Sequence, residues 1–296
     1  MAPVIAGRIL RQSAGALLSC SLLLAGLAAA AGDPRQGEYV ARLGGCHSCH
    51  TDPTRKDAPL AGGVELKSPF GTFRAPNITP DRETGIGGWS DTDFVRAMTQ
   101  GVAPDGRLYY PAFPYTSYTK MTERELLDLK AYLDTLKPVR NAVPPHDLRF
   151  PYNLRFALAA WKWLFFRPGG YIPDPQRNAS WNRGAYLVTG PGHCGECHTA
   201  RNFLGATMEK HALAGTKSGP DGKRVPNITP HRKDGIGLWS ADDMVEFLRT
   251  GKVPYGEDVG SPMEEVILNS TSHWSALDLK AVAEYLLSLP ARETPK

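Results

Sequence analysis

The sequence predicts an all-α protein built from two copies of one small helical module. The first observation is self-similarity, because "PNITPDRETGIGGWSDTDFVRAM" from Pro76 recurs as "PNITPHRKDGIGLWSADDMVEFL" from Pro226, a shift of 150. The second is that apolar residues after each copy recur at helical spacing. The third is that no segment alternates cleanly enough between polar and apolar residues to be assigned as a strand. Repetition at a fixed shift indicates one structural unit made twice.

The 296 residues divide into four segments. The first, 1–31, has the layout of a secretory signal peptide, since Arg8 and Arg11 precede an apolar run that ends in small residues. A retained membrane anchor is the alternative, because the run approaches the roughly 18 residues that can span a bilayer. The remaining segments are a first module at 32–137, a linker with an aromatic helix at 138–178 and a second module at 179–296.

Composition describes a globular chain with little affinity for nucleic acid. Hydrophobic residues make up 42% of the sequence, which is enough for a proper core. The formal net charge is +4, and loss of Arg8 and Arg11 with the leader leaves +2. No dense stripe of Lys and Arg is present, and such a stripe is what nucleic-acid binding needs. Nucleic acid is therefore excluded as a partner.

Each module opens with a short helix and continues with an amphipathic one. The opening segments, "RQGEYVARLGG" and "NRGAYLVTGPG", run directly into a pair of cysteines. The amphipathic helices are predicted at 91–98 and 241–248, with Ser90 and Ser240 as N-caps. Gly101 and Gly251 are expected to end these helices, one in each module.

Each module closes with a helix, "LLDLKAYLDTL" in the first and "LKAVAEYLLSL" in the second. The first of these begins from Thr122 with Glu125 three residues on, which is a capping-box pattern. The loops between the helices are long and rich in Pro and Gly, which is unusual for a small helical domain. A large apolar ligand enclosed by the loops would explain them.

The cysteines indicate what that ligand is. Loss of the leader removes Cys20 and leaves two pairs, "CHSCH" at 46–50 and "CGECH" at 194–198. Long-range disulfides are common in exported proteins, but here each pair is closed by a histidine. A zinc site would need two further ligands per metal, and a thioredoxin-like pair belongs with a βαβ pattern. The spacing C-x-x-C-H is typical of covalent attachment of c-type haem.

Two covalently bound haem c groups are therefore the predicted cofactors. Two thiols at this spacing at the end of a helix can both reach one edge of a porphyrin, and the adjacent imidazole can reach the iron. The predicted thioether and iron-ligand residues are Cys46, Cys49 and His50 for the first haem, and Cys194, Cys197 and His198 for the second.

At this point the chain resembles a known family. "APNITPDRETGIGGWSDTDFVRAM", "YYPAFPYTSYTKMTERELLDLKAYL" and the two C-x-x-C-H sites are similar to the cytochrome c subunits of periplasm-facing bacterial alcohol and gluconate dehydrogenase complexes. The resemblance implies a tandem of two cytochrome c domains in the periplasm. It implies a non-catalytic subunit that takes electrons from a periplasmic or membrane-bound dehydrogenase and passes them to a downstream cytochrome, quinone or oxidase. Those subunits typically carry three haems, and this sequence has two sites.

The resemblance also implies a methionine as second axial ligand, in the loop before the closing helix. Met263 fits for the second haem and is its predicted iron ligand. In the first module the family pattern resembles "YPAMPY", but this sequence reads "YPAFPY", so that Phe113 stands where the ligand is expected. The alternatives for the first iron are Met121, Met98 or no methionine. An open first haem would make the chain a dihaem oxidoreductase, which is the alternative function.

The linker contains an aromatic segment, "LRFALAAWKWLFF" at 154–166. It is too short to span a bilayer. One interpretation is a helix packed between the modules. The other is a surface for peripheral contact with a membrane or a partner protein.

Overall fold

Helices dominate the structure, which is a computed structural model describing Met1 and residues 32–55, 57–254, 256, 259–260 and 262–296. Apart from Met1, the predicted signal peptide lies outside the described residues. Within them the α-helices are Pro34–Leu43 (α1), Cys46–His50 (α2), Asp91–Gln100 (α3), Tyr115–Tyr118 (α4), Glu123–Asp134 (α5), Ala157–Phe165 (α6), Ala179–Thr189 (α7), Gly195–His198 (α8), Ala241–Thr250 (α9), Met263–Asn269 (α10) and Ala276–Ser288 (α11).

Two short 3-10 helices, Glu209–His211 and Thr271–His273, complete the helical elements of the described residues. Across this part of the chain, every helix falls short of the length and hydrophobicity that crossing a bilayer requires. The core forms two clusters of buried apolar side chains, the first under α1, α3 and α5 and the second mainly under α7, α9 and α11.

The predicted caps of the amphipathic helices are confirmed. Ser90 accepts a hydrogen bond from the backbone N–H of the third helical residue of α3, whose carboxylate accepts one in return, and Ser240 makes the same capping box on α9. Both helices end at a glycine in the left-handed conformation, with φ of 60° at Gly101 and 83° at Gly251. Thr122 caps α5 through the predicted capping box.

In each module, which we call a half of the chain from here on, the opening and closing helices cross at a glycine. On α1, a Cβ at Gly37 would lie 1.9 Å from the carbonyl oxygen of Asp128 on α5. On α7, a Cβ at Gly184 would lie 2.0 Å from the carbonyl oxygen of Ala281 on α11. Two helices can approach this closely only where one of them lacks a side chain. The same crossing therefore positions the segment before each cysteine pair.

Replacing Gly184 by alanine is expected to lower the free energy of unfolding by about 2 to 3 kcal/mol, because the new methyl group must push α7 away from α11. Chemical denaturation followed by circular dichroism measures the change. Gly170→Ala is the matched control, since a Cβ there meets nothing within 4 Å, and its effect should stay within about 0.5 kcal/mol. Equal effects of the two substitutions would show that the helix crossing does not need the glycine.

A small antiparallel sheet contradicts the prediction of a purely α-helical chain without strands. Glu65–Ser68 (β1) pairs with Gly71–Arg74 (β2), and β2 pairs with Asp147–Leu148 (β3) from the linker. These strands have two to four residues, too few for a visible alternation of polar and apolar positions. A Cβ at Gly71, the first residue of β2, would lie 2.4 Å from the carbonyl oxygen of Asp147. Because glycine has no Cβ, β3 can pair closely with β2 at this position.

The two halves meet through a pair of corresponding tyrosines. Tyr39 on α1 donates a hydrogen bond to Asp278 in the first turn of α11, at 2.7 Å. Tyr186 on α7 donates one to Glu125 in the first turn of α5. Arg183 pairs with Asp278 at 2.8 Å and lies 3.8 Å from Glu125. Each closing helix is thus capped by its own half and held by a tyrosine of the other.

Loss of the Asp278 carboxylate is expected to destabilise the fold in a pH-dependent way. Burial by itself raises the pKa of Asp278, but the hydrogen bonds from Arg183 and Tyr39 outweigh it and hold the pKa below its ordinary value. This stabilisation is present above the unfolded pKa of about 4 and is lost as the pH falls through the lower folded pKa. Asp278→Ala should therefore cost about 2 to 3 kcal/mol at neutral pH, and less in acid.

Urea denaturation of both proteins at neutral pH and at about pH 3 tests this expectation. Glu83→Ala is the matched control, because Glu83 pairs with Arg140 in a solvent-exposed ion pair whose loss should cost less than about 1 kcal/mol. A difference between wild type and Asp278→Ala that grows as the pH falls would contradict the assigned role of the carboxylate.

Candidate haem sites

The predicted attachment residues are brought together on two short helices. Cys46, Cys49 and His50 lie on α2. Cys197 and His198 lie on α8, and Cys194 is the residue immediately before it. All four thiols are free, and burial raises the pKa of Cys46 and of Cys194 to about 12, so both thiols are protonated. Each site thus offers two neutral thiols beside one imidazole.

The imidazole of each site is oriented by a backbone carbonyl. The Nδ1 atom of His50 lies 2.7 Å from the carbonyl oxygen of Pro76, and that of His198 lies 2.8 Å from the oxygen of Pro226. A carbonyl can only accept, so Nδ1 carries the proton and Nε2 keeps its lone pair. Burial lowers the pKa of both imidazoles, which favours the neutral form that ligates a metal. The donor set of each site therefore fits covalent haem with a histidine on the iron.

A loop glycine forms a hydrogen bond with the backbone of each histidine. The N–H of Gly62 donates to the carbonyl oxygen of His50, and the N–H of Gly215 donates to that of His198, both at 2.8 Å. A Cβ at Gly62 would lie 2.4 Å from the carbonyl carbon of Pro76, so this loop packs directly against the carbonyl that holds the imidazole. Sequence reasoning missed these glycines, although the repeated "LAG" at 60–62 and 213–215 was the available signal.

The repeated "PNIT" turn is held in place by a buried asparagine. Asn77 and Asn227 are 3% and 2% exposed. Asn77 accepts from the N–H of Thr79 and donates to the carbonyl of Val139, which follows the closing helix. Asn227 does the same with the corresponding residues of the second half. The carbonyl that orients each imidazole is thus part of a turn tied to the end of its module.

Met263 is the first residue of α10, where it packs partly buried against the core of the second half. The backbone defines its counterpart in the first half. The N–H of Val259 donates to the carbonyl of Gly251, and the N–H of Tyr109 donates to that of Gly101. Met263 follows Val259 by four residues, and Phe113 follows Tyr109 by four residues. The position of Met263 is therefore taken by a phenylalanine in the first half.

Met121 and Met98 occupy core positions instead. Met121 directly precedes the N-cap of α5, as Trp274 precedes the N-cap of α11, and both side chains are 5% exposed. Met98 lies on the buried face of α3, where it is 7% exposed and packs in the same cluster as Met121. Neither methionine lies in the segment that corresponds to the loop of Met263.

Each attachment helix contacts a short helix of the other half. The Ser48 hydroxyl on α2 donates to the carbonyl of Glu265 on α10, at 3.4 Å. Glu196 on α8 accepts from the hydroxyl groups of Thr116 and Ser117 on α4, at 2.7 and 3.1 Å. Its second oxygen pairs with Arg201 at 2.5 Å.

Glu196 remains ionised in this interface. Burial raises its pKa, but Arg201 and the hydroxyl of Thr116 outweigh that effect and hold the pKa below its ordinary value. Sequence reasoning missed Glu196, because nothing in the sequence around the attachment cysteines indicates which distant residues it contacts. Through Ser48 and Glu196, each attachment helix therefore lies against the other half.

Several known proteins similar to this chain are c-type cytochromes or cytochrome c subunits. No protein-family model matches the chain. A dihaem c-type cytochrome from Cereibacter sphaeroides is 44% identical over 275 residues, which are 92% of this chain and 90% of that protein. The cytochrome c subunit of a quinone alcohol dehydrogenase from Gluconobacter oxydans is 39% identical over 87% of this chain and 55% of the subunit. The cytochrome c subunit of gluconate 2-dehydrogenase from Pantoea cypripedii is 38% identical over 88% of this chain and 60% of the subunit. The chain thus spans little more than half of these two subunits.

Proposed function

This chain belongs to the dihaem c-type cytochromes, and from that premise we propose that it is a periplasmic tandem of two cytochrome c domains. It carries two covalently attached haem c groups and relays single electrons from a partner dehydrogenase to a downstream acceptor of the respiratory chain. The observation that carries the proposal is the pair of matching C-x-x-C-H sites, each with an imidazole oriented by a proline carbonyl. The names of the dehydrogenase subunits among its relatives support the choice of partner.

The residues of each site have separate tasks. Bound haem supplies the one-electron iron couple. Cys46, Cys49, Cys194 and Cys197 attach the groups, and His50 and His198 present Nε2 to the irons. Met263 is the proposed second ligand on the second iron. Cys46 and Cys194 pack against the two apolar cores, which would give each iron a low-dielectric environment on that side.

The interface supports transfer between the two groups within one chain. Because α2 touches α10 and α8 touches α4, the attachment side of each site lies against the other half. The hydrogen bonds of Glu196 to Thr116 and Ser117 fix this arrangement.

Purification of the tagged chain from its native cells, with the membranes solubilised by mild detergent, tests the proposal. A dehydrogenase should co-purify, and its substrate should reduce the haem absorbance of the complex; alcohols and gluconate are the first candidates because of the similar subunits. If dithionite reduces the haems but the substrate of no co-purified dehydrogenase does, the proposed partner is wrong.

A second candidate function, a dihaem oxidoreductase with catalysis at an open first haem, is favoured by one observation. Phe113 stands at the position that corresponds to Met263, and a phenyl ring cannot ligate iron. Steady-state reduction of hydrogen peroxide to water, with excess ascorbate as the electron donor that keeps the haems reduced, would support this candidate if Phe113→Met abolishes it. Reduced protein that shows no such turnover supports the relay alone.

A further inference from the structure

The aromatic helix of the linker exposes an apolar stripe. Phe156, at the start of α6, and Trp163 are each 78% exposed, and Leu164 is 47% exposed. These residues are spaced at i, i+7 and i+8, and the exposed Ala159 and Ala160 lie between them on the same helical face. An amphipathic helix normally turns such a stripe toward the core, but α6 turns it toward solvent.

The opposite face of α6 fixes the helix to both halves of the chain. Leu158 is buried, and so is Phe166, directly after the helix. The Trp161 indole N–H donates to the carbonyl of Leu204 in the second half, at 2.9 Å. The Lys162 ammonium group donates to the carbonyl of Gln100 in the first half. The stripe is therefore presented on a fixed support, and binding to it costs little ordering of the helix.

We use the name α6 surface for Phe156, Trp163 and Leu164. It is a ridge of large apolar side chains without polar groups between them.

The charged residues next to this ridge along the chain have the same sign. Residues 148–173 contain four cations and no Asp or Glu. Arg149 and Arg167, which flank α6, are exposed. An exposed apolar ridge with an exposed arginine on either side of it along the chain complements a surface of anionic phosphate groups over hydrocarbon.

We propose that the α6 surface docks onto an anionic phospholipid bilayer, with α6 lying in the plane of the interface. Trp163, Phe156 and Leu164 would enter the boundary between headgroups and acyl chains, and the flanking arginines would meet lipid phosphates. A convex ridge of one helix suits a bilayer, which needs no shape complementarity. The inference concerns a surface apart from the haem sites, so it can fail while the electron relay stands.

Vesicle binding by the haem-loaded protein, purified without detergent, tests the inference. We expect co-sedimentation with vesicles of mixed phosphatidylcholine and phosphatidylglycerol, weaker binding to phosphatidylcholine alone, and release by salt. In the bound state, residues 154–167 should be protected from hydrogen exchange. The double variant Trp163→Ser, Leu164→Ser should bind about tenfold or more weakly, because it removes two exposed apolar side chains.

Leu277→Ser is the matched control, since Leu277 is 79% exposed on α11, away from α6, and its loss should leave binding unchanged. Haem absorbance of both variants checks that they fold as the wild type does. The inference is overturned if the wild type does not bind anionic vesicles, if the double variant binds equally well, or if protection appears elsewhere. A surface that captures a partner dehydrogenase but no vesicle would be a protein interface, and that result also overturns it.

Discussion

Replacing Cys194 and Cys197 together by serine is expected to remove the second covalent haem and leave the first. A serine hydroxyl cannot form the thioether that a cysteine thiol forms with the porphyrin. The orienting contacts of the two sites are separate, because His50 is held by Pro76 and His198 by Pro226. The haem-to-protein ratio, measured by pyridine haemochrome absorbance on the purified chain, should fall by half.

The matched variant replaces Cys46 and Cys49 and should remove the first haem only. Its haem-to-protein ratio should also fall by half, with the remaining haem on a peptide that contains Cys194 and Cys197. If either double variant keeps both haems, the C-x-x-C-H pairs are not the attachment sites. If a folded variant of either kind loses both haems, attachment at the two sites is not independent.

Replacing Met263 by alanine is expected to remove the weak methionine–iron charge-transfer band of the oxidised protein. Methionine ligation raises the reduction potential of a c-type haem. The potential of the second haem should therefore fall by on the order of 0.1 V or more, within the roughly 0.8 V that axial ligands span. Redox titration with optical detection measures both changes on the same sample.

The converse substitution, Phe113→Met, should create a second charge-transfer band and raise the potential of the first haem. It places a thioether at the position that corresponds to Met263. Met121→Leu is the control, because Met121 is a buried core residue before α5 and its loss should leave the number of bands unchanged. If Met121→Leu removes a band, that methionine ligates the first iron, and the correspondence of Phe113 with Met263 does not decide the ligand.

Much of each module could be predicted because its information is local. The N-caps at Ser90, Ser240 and Thr122 depend on residues within one helical turn, and all three were predicted correctly. The cysteine pairs and their histidines also lie within five residues, so the structure places them together on short helices. Repetition strengthened both predictions, since each pattern occurs twice.

The features that were missed depend on contacts between distant segments. The strand Asp147–Leu148 pairs with a hairpin far along the chain, so nothing within its two residues reveals it. Glu196 finds Thr116 and Ser117 across the interface between the halves. For the segment of Trp163 the sequence left a packed helix and an exposed surface both open, because a sequence pattern does not show which face of a helix meets a neighbour. Only the folded chain shows these contacts.

Mass spectrometry of the purified wild-type chain under denaturing conditions is the most direct test of the two haem sites. The expected result is one polypeptide that carries the mass of two haem groups, with Cys46, Cys49, Cys194 and Cys197 all resistant to alkylation. A polypeptide without covalent haem, or with four thiols that alkylate freely, would contradict the assignment of this chain as a carrier of two haem c groups.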